Sequence, residues 1–301
     1  MIDRDAAQTF VWLHARLIDR HRYHYHFERG GPGPVLAALR PYQNADGGFG
    51  HALEPDARGA ESQPLPTYTA LSILDEIGAG RDPLVARAVG YLAAVTAPDG
   101  GVPIALPGLR RDLQAPWLQP RTGAPAGGLL PTAGIAGVLH KHRVAHPWLA
   151  PATDFCWRAI AALERTHPYE VEAALRFLEH APERRRAERA AERLGCLVRE
   201  QRLVLPDPDA RAEDHTAPGY GPGEVHTPLD YAPTPTGLAR RWFSDAALAR
   251  DLDALERGQG ADGGWRFTWR EWNAATTLAW RGVVTIRALT LLRAYGRLHD
   301  A

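Results

Sequence analysis

Lysine is nearly absent from this chain. Lys141 is the only one, and arginine carries almost all the positive charge. With 35 basic and 35 acidic residues the formal net charge is zero. That excludes a global field that would gather nucleic acid or a membrane surface. Two cysteines, Cys156 and Cys196, are too few for a disulfide framework. No apolar run reaches the roughly 18 residues a spanning helix needs, so no integral membrane segment is expected. Met1 to Arg20 shows no basic region ahead of an apolar run, unlike a signal peptide, and a cytoplasmic protein is expected. No run of β-branched residues alternates as a half-buried strand does.

What the chain does contain is a repeated turn. Tyr42-Gln43-Asn44-Ala45-Asp46-Gly47-Gly48-Phe49-Gly50 returns as Gly258-Gln259-Gly260-Ala261-Asp262-Gly263-Gly264-Trp265. Each copy reads as a helix end, a glutamine, a tight Asp-Gly-Gly turn and an aromatic. Both glycines are expected to take backbone angles closed to residues with a Cβ. The aromatic folds back as an apolar plug. Pro98-Asp99-Gly100-Gly101-Val102-Pro103 is a weaker third copy. Asp46 and Asp99 are 53 residues apart, and Asp99 and Asp262 are 163 apart, three units of about 54. Unmarked units are then due to end near 153 and 207. Leu197 to Gln201 ahead of Leu205-Pro206-Asp207 reads as a degenerate copy, whereas 149–166 reads as one helix without the turn.

Helical spacing of apolar residues predicts two alternating classes of helix. One class follows each turn and its loop: 66–78, 132–143, 168–181, 234–243 and 276–296, with 5–23 ahead of them. The other leads into each turn: 34–43, 83–97, 149–166, 184–201 and 245–259. The expected fold is all-α, one domain over 1–301, with 11–12 helices in hairpins of about 54 residues. Such hairpins either close into a ring or stack into an open superhelix.

The motif at Gln43 to Phe49 and Gln259 to Trp265 resembles the QW repeat of squalene-hopene cyclase and other class II terpenoid cyclases, whose relatives include the protein prenyltransferase β subunits. The resemblance implies an (α/α)6 toroid, with the helices that follow each turn forming an inner ring around an apolar cavity. It implies an enzyme acting on an isoprenoid or other apolar substrate, and a small apolar ligand as partner. The DxDD motif whose middle aspartate protonates substrate in those cyclases is absent; Asp207-Pro208-Asp209-Ala210 is the nearest string. A full class II cyclase usually has a second barrel, so a partner barrel or a homodimer is a further expectation.

Three long loops precede inner-class helices, at about 44–65, 99–131 and 203–233. The first holds His51, Glu54 and Asp56, candidates for an acid/base cluster or a metal site in the place of the missing motif. The third holds His226 and Asp230, a candidate proton-transfer pair, with Tyr220 and Tyr231 as substrate contacts. Trp117, Trp269, Arg270 and Trp272 complete the candidate substrate surface, since aromatic faces stabilise cations. Arg58, Arg110, Arg111, Arg211 and Arg270 are candidates to hold an anionic head group near inner-helix N-termini. No cofactor is expected, save Mg2+ if the substrate is a diphosphate. Asp154-Phe155-Cys156 has the local form of a prenyltransferase zinc ligand pair, yet no histidine in the last helix completes it, and no metal site is expected. Two other readings stay open: a non-catalytic barrel that binds a lipid or peptide, and a carbohydrate-active toroid with opposed carboxylates.

Overall fold

Prolines and capping side chains set where the helices begin. A computed structural model describes residues 2–111, 113–120 and 125–298. Helix α1 (Arg4–His14) starts at Asp3, whose carboxylate accepts from the Ala6 N–H at 2.9 Å. Helix α2 spans Leu17–Phe27 and α3 Pro32–Leu39. Helix α4 (Pro64–Glu76), α5 (Pro83–Ala94) and α8 (Pro168–His180) each open on proline, which tolerates the first helical position. Between them lie α6 (Leu129–Lys141) and α7 (Leu149–Ala162), followed by α9 (Arg184–Glu200). A short α10 (Pro228–Tyr231) precedes α11 (Asp245–Arg257) and α12 (Ala274–Ala294). Among the described residues β-structure is limited to isolated bridges, so the chain is all-α as expected.

Two expected helices differ. The span 5–23 is broken at Ala15 and Arg16, both extended at ψ 156°. There the backbone passes tightly under α12: a Cβ on Gly282 would lie 2.9 Å from that of Ala15. The span 234–243 holds only a 3-10 turn, Leu238–Trp242, because Pro233, Pro235 and Gly237 withhold helix-forming donors and geometry.

The three Asp-Gly-Gly turns have one geometry. The N–H of Gly47, Gly100 and Gly263 donates to the carbonyl three residues back at 3.0, 2.9 and 2.8 Å. The aspartate Oδ1 accepts from the second glycine, at 2.9 Å for Asp46 and Asp99 and 3.2 Å for Asp262. Only the first glycine of each pair lies in the left-handed region, at φ 93°, 92° and 88°. The second is needed for space instead. A Cβ on Gly48, Gly101 or Gly264 would meet Ser62, Phe155 or Phe10 at 2.5, 2.5 and 2.7 Å. The next residue has no strand partner for its N–H. A fully buried threonine hydroxyl accepts it: Thr67 for Phe49 at 3.0 Å, Thr132 for Val102 at 2.7 Å and Thr285 for Trp265 at 3.0 Å.

Each turn sits on the helix that leads into the next repeat. A Cβ on Gly47 would lie 2.3 Å from the Arg87 carbonyl oxygen of α5, and one on Gly263 2.1 Å from that of Ala6 in α1. Gln43 donates to Gly47 O and to Leu84 O at the start of α5, and Gln259 donates to Gly263 O and to Asp3 O ahead of α1. Thus α1 belongs to the turn-leading class and α2 to the turn-following class. Among the described residues six helices of each class result, one more turn-leading helix than the apolar spacing indicates.

The chain divides into two compact units. One is Met1–Val35 with Glu192–Ala301, the other Leu36–Ala191, and the divisions run through α3 and α9. In the first unit Phe10, Val11, Leu248, Trp265, Ile286 and Leu289 form the core. In the second, α6 is buried along nearly its whole length and lies close to α4 and α8 at Gly134 and Gly137, where a Cβ would meet Tyr68 and the Arg176 backbone at 2.4 Å each.

Candidate functional site

In the unit Leu36–Ala191, the loop after the first turn folds sharply inward. His51 and Ala52 stand in succession in the left-handed region, at φ 57° and 60°. For residues with a Cβ that costs about 1–2 kcal/mol each. Strain of this kind persists only where its surroundings over-determine it. Here the reversal delivers Leu53, Glu54, Pro55, Asp56 and Ala57 as a continuous buried stretch. Glu54 is 7% exposed, and its Oε2 accepts from the Thr69 hydroxyl of α4 at 2.7 Å. Thr69 lies on the half-exposed side of α4, with Tyr68, Ser72 and Asp75.

Asp56 is equally buried, and its backbone carbonyl accepts from the Ala115 N–H at 2.9 Å. The Arg58 N–H donates to Leu113 O at 3.0 Å, and the Gln63 Oε1 accepts from the Leu106 N–H at 2.8 Å. The first and second long loops are therefore stitched together. Trp117, at 46% exposed, stands at the surface of the second. His51 does not join Glu54. It is exposed, with Nε2 2.9 Å from Asn44 Oδ1, and borders a depression of about 590 Å3 with Asp46, Glu61, Ser62 and Tyr91. The side chains of Arg110 and Arg111 lie outside the described residues.

Further along α4, Asp75 ties three helix ends. Its Oδ1 meets Lys141 Nζ and His142 Nε2 at 2.7 Å each, and its Oδ2 meets Arg176 at 2.9 Å. Arg176 also donates to Ser72 at 2.8 Å and Tyr68 at 3.3 Å. Burial alone would raise the Asp75 carboxyl, but the bonds from Lys141 and Arg176 outweigh it and hold it at about 2.

In the other unit the third long loop and the segment after the last turn meet. A Cβ on Gly221 would lie 3.8 Å both from Arg270 Cβ and from Glu224 Oε2. Tyr220 Oη and His226 Nδ1 share a hydrogen bond of 3.0 Å, and their rings stack at 5.8 Å. The buried His226 ring then meets that of Tyr231 at 5.7 Å. Tyr231 is buried and donates to Leu203 O at 2.7 Å. Burial pushes the Glu224 carboxyl above its ordinary range, while the Gly221 N–H and nearby His226 pull it back.

Asp230 closes a capping box with Thr227 and pairs with Arg287 at 2.9 Å. Its partners are thus the start of α10 and a side chain of α12. Trp269 stacks on Phe267 at 4.5 Å and meets Trp280 edge-on at 5.0 Å, whereas Trp272 is half-buried just ahead of the Asn273 cap of α12. Arg270 is exposed, and Arg211 reaches Glu213 at 3.8 Å.

Asp154 is exposed and Cys156 buried, as their two-residue separation on α7 dictates, since it turns them about 200° apart. Burial raises the Cys156 thiol. Among the described residues no group of three or more His, Cys, Asp or Glu is arranged to hold a metal ion. Nor is any helix among them long and apolar enough to cross a membrane.

Two features of these surroundings escape a reading of the sequence. Thr69 carries no motif, and its helical position relative to Glu54 is set by the strained reversal at His51 and Ala52. Asp251 of α11, 5% exposed, accepts from the Leu229 N–H at 2.8 Å beneath α10, but in sequence it is one of several acids on an amphipathic helix.

No family model and no curated protein sequence matches the chain. Solved structures do resemble it. A protein from Actinoplanes superposes with a TM-score of 0.56 at 17% identity, over 93% of this chain and 88% of that one. The type II terpene cyclase MstE from Scytonema does so with a TM-score of 0.55 at 13% identity, over 97% of this chain and 88% of that one. An aspartate-to-asparagine variant of MstE, solved with its substrate geranylgeranyl dihydroxybenzoate, gives 0.56 at 12% identity, again over 97% and 88%. The chain accordingly shares the all-α, paired-helix fold of these solved structures, among them a type II terpene cyclase, over almost its whole length.

Proposed function

We propose that this protein is a cyclase-like enzyme acting on an isoprenoid or other apolar substrate, and that Glu54 supplies the proton that starts the reaction. The observation that carries this reading is the placement of Glu54. A buried carboxyl stands in the loop between the first glycine turn and α4, held to α4 by Thr69. It does so in a chain with the fold of a type II terpene cyclase, one structure of which holds a geranylgeranyl substrate. Burial disfavours the charged form of a carboxyl and so suits it to donate a proton.

In the proposed step the Glu54 O–H bond breaks and a C–H bond forms at a substrate alkene, whose π electrons supply the new bond. The resulting carbocation closes a ring and is discharged by loss of a proton to solvent, and Glu54 regains one. The net change is an isomerisation without redox. Mg2+ accompanies the substrate where that is a diphosphate, and a cytoplasmic site of action completes the proposal.

The test is incubation with prenyl diphosphates, squalene-like polyenes and prenylated hydroxybenzoates, with products read by mass spectrometry. A cyclised product of unchanged mass, lost in Glu54→Gln, is expected. No product from any of these, together with an unchanged melting temperature on adding them, would sink the reading.

A further inference from the structure

The Thr69 hydroxyl has one hydrogen and two acceptors in reach. Glu54 Oε2 lies at 2.7 Å and the Leu65 carbonyl, one turn back in α4, at 3.2 Å. Threonine in a helix often bonds back to the carbonyl four residues earlier. The oxygen of the same hydroxyl can accept while its hydrogen is turned away. Two arrangements therefore share one set of heavy-atom positions. With Glu54 ionised, Thr69 donates to it. With Glu54 protonated, the carboxyl donates to Thr69 Oγ, and Thr69 donates to Leu65 O.

We propose that Thr69 is the positioning residue of Glu54, and that its hydroxyl reverses its hydrogen bond each time the carboxyl loses or regains a proton. The inference rests on the reading of Glu54 as the acid, although the reversal itself is a property of the pair. The surroundings are built to hold it. Leu53, fully buried, anchors the loop beside Glu54, and the Ala57 N–H closes a turn onto the Glu54 carbonyl at 3.0 Å. Thr67, two residues before Thr69 and fully buried, fixes α4 to the first glycine turn through the Phe49 N–H. The heavy atoms of the pair stay in place: the acidic hydrogen swings off Thr69 Oγ towards the substrate, and the Thr69 hydrogen turns from Leu65 O onto the carboxylate that is left, so only hydrogens reorganise. A valine at 69 keeps the shape of threonine and removes both roles, whereas a serine keeps both.

The deciding experiment is a carbon-13 NMR titration of the Glu54 carboxyl in the full chain, assigned by loss of its signal in Glu54→Gln. Thr69→Val is expected to raise the Glu54 midpoint by about one pH unit, since of the two hydrogen bonds it removes the one to the ionised carboxyl is stronger than the one to the neutral form. Thr69→Ser is expected to leave the midpoint where the wild type has it. Turnover on a prenyl substrate is expected to fall at least roughly tenfold in Thr69→Val and to return in Thr69→Ser, with its pH profile following the midpoint. If Thr69→Val does not fold, Thr69→Ala takes its place under the same expectation. An unmoved midpoint in the folded variant overturns the inference. A moved midpoint in a protein that turns over no substrate overturns the proposed function and leaves the hydroxyl reversal standing.

Discussion

Gln259 holds both backbone groups of Asp3. Its Oε1 accepts from the Asp3 N–H at 2.9 Å, and its Nε2 donates to the Asp3 carbonyl at 2.7 Å. The last glycine turn is thereby fastened to the first helix of the chain. Gln43, its counterpart, makes the two donor bonds only, and its buried Oε1 has no partner among the described residues. At about 1 kcal/mol for each net hydrogen bond, Gln259→Leu is expected to cost about 2–3 kcal/mol and Gln43→Leu less. Urea midpoints at constant m-value measure the difference, and equal losses would refute the ranking.

The glycine turns are expected to differ in the same graded way. Gly47→Ala and Gly263→Ala drive a Cβ to within 2.3 and 2.1 Å of a backbone carbonyl oxygen, besides the positive φ. In Gly100→Ala the nearest atom is 3.5 Å away, leaving the backbone strain of about 1–2 kcal/mol. Melting temperatures of the three variants should place Gly100→Ala well above the others.

Ala52→Gly is expected to stabilise the protein. It relieves a left-handed residue at φ 60° at the cost of some unfolded-state entropy, for a net gain of about 0.5–1 kcal/mol. If the strained reversal also places Glu54, the same variant loses activity while it gains stability. A thermal melt and a turnover assay on one sample compare the two.

Stability should depend on pH through two carboxyls in separate windows. Burial pushes Asp251 up to about 6, while the Leu229 N–H and the Thr227 hydroxyl pull it back. Its folded value exceeds the unfolded one, so the native state binds the extra proton, and stability falls as pH rises from about 4 to about 6. The fall is on the order of 3 kcal/mol, and Asp251→Asn, which retains an acceptor for Leu229, should abolish it. Asp75, held at about 2, acts in reverse. Its contribution is present above about 4 and disappears as pH drops towards 2. Denaturant titrations between pH 2 and 7 resolve the two.

Much of the fold is legible because its signals are local. Proline at the start of α4, α5 and α8, and an Asp-Gly-Gly turn after α3, α5 and α11, mark helix boundaries with no knowledge of the rest of the chain. The break at Ala15 is not marked in this way. It depends on the approach of Gly282, some 270 residues later, and an apolar stripe continues through it. The third turn copy reads weakly for a physical reason. Where Gln43 and Gln259 stand, it has Thr96, whose hydroxyl accepts from the Trp148 indole N–H at 2.7 Å, so the same clasp is made from unlike residues.

Glycine spacing, proline and apolar period together determine an all-α chain of paired helices, because each acts on the backbone within a few residues. Tertiary structure decided the partners. It gave each turn its buried threonine, 18, 30 or 20 residues downstream, since the intervening loops vary in length. It separated His51 from Glu54 within one loop, because a left-handed pair of residues turns the one to solvent and the other into α4. It bound Asp230 to its own helix start and to Arg287, because a capping carboxylate near a guanidinium is satisfied there. Side-chain identity fixes what each group is able to donate or accept; only the packed backbone fixes which of those bonds is made.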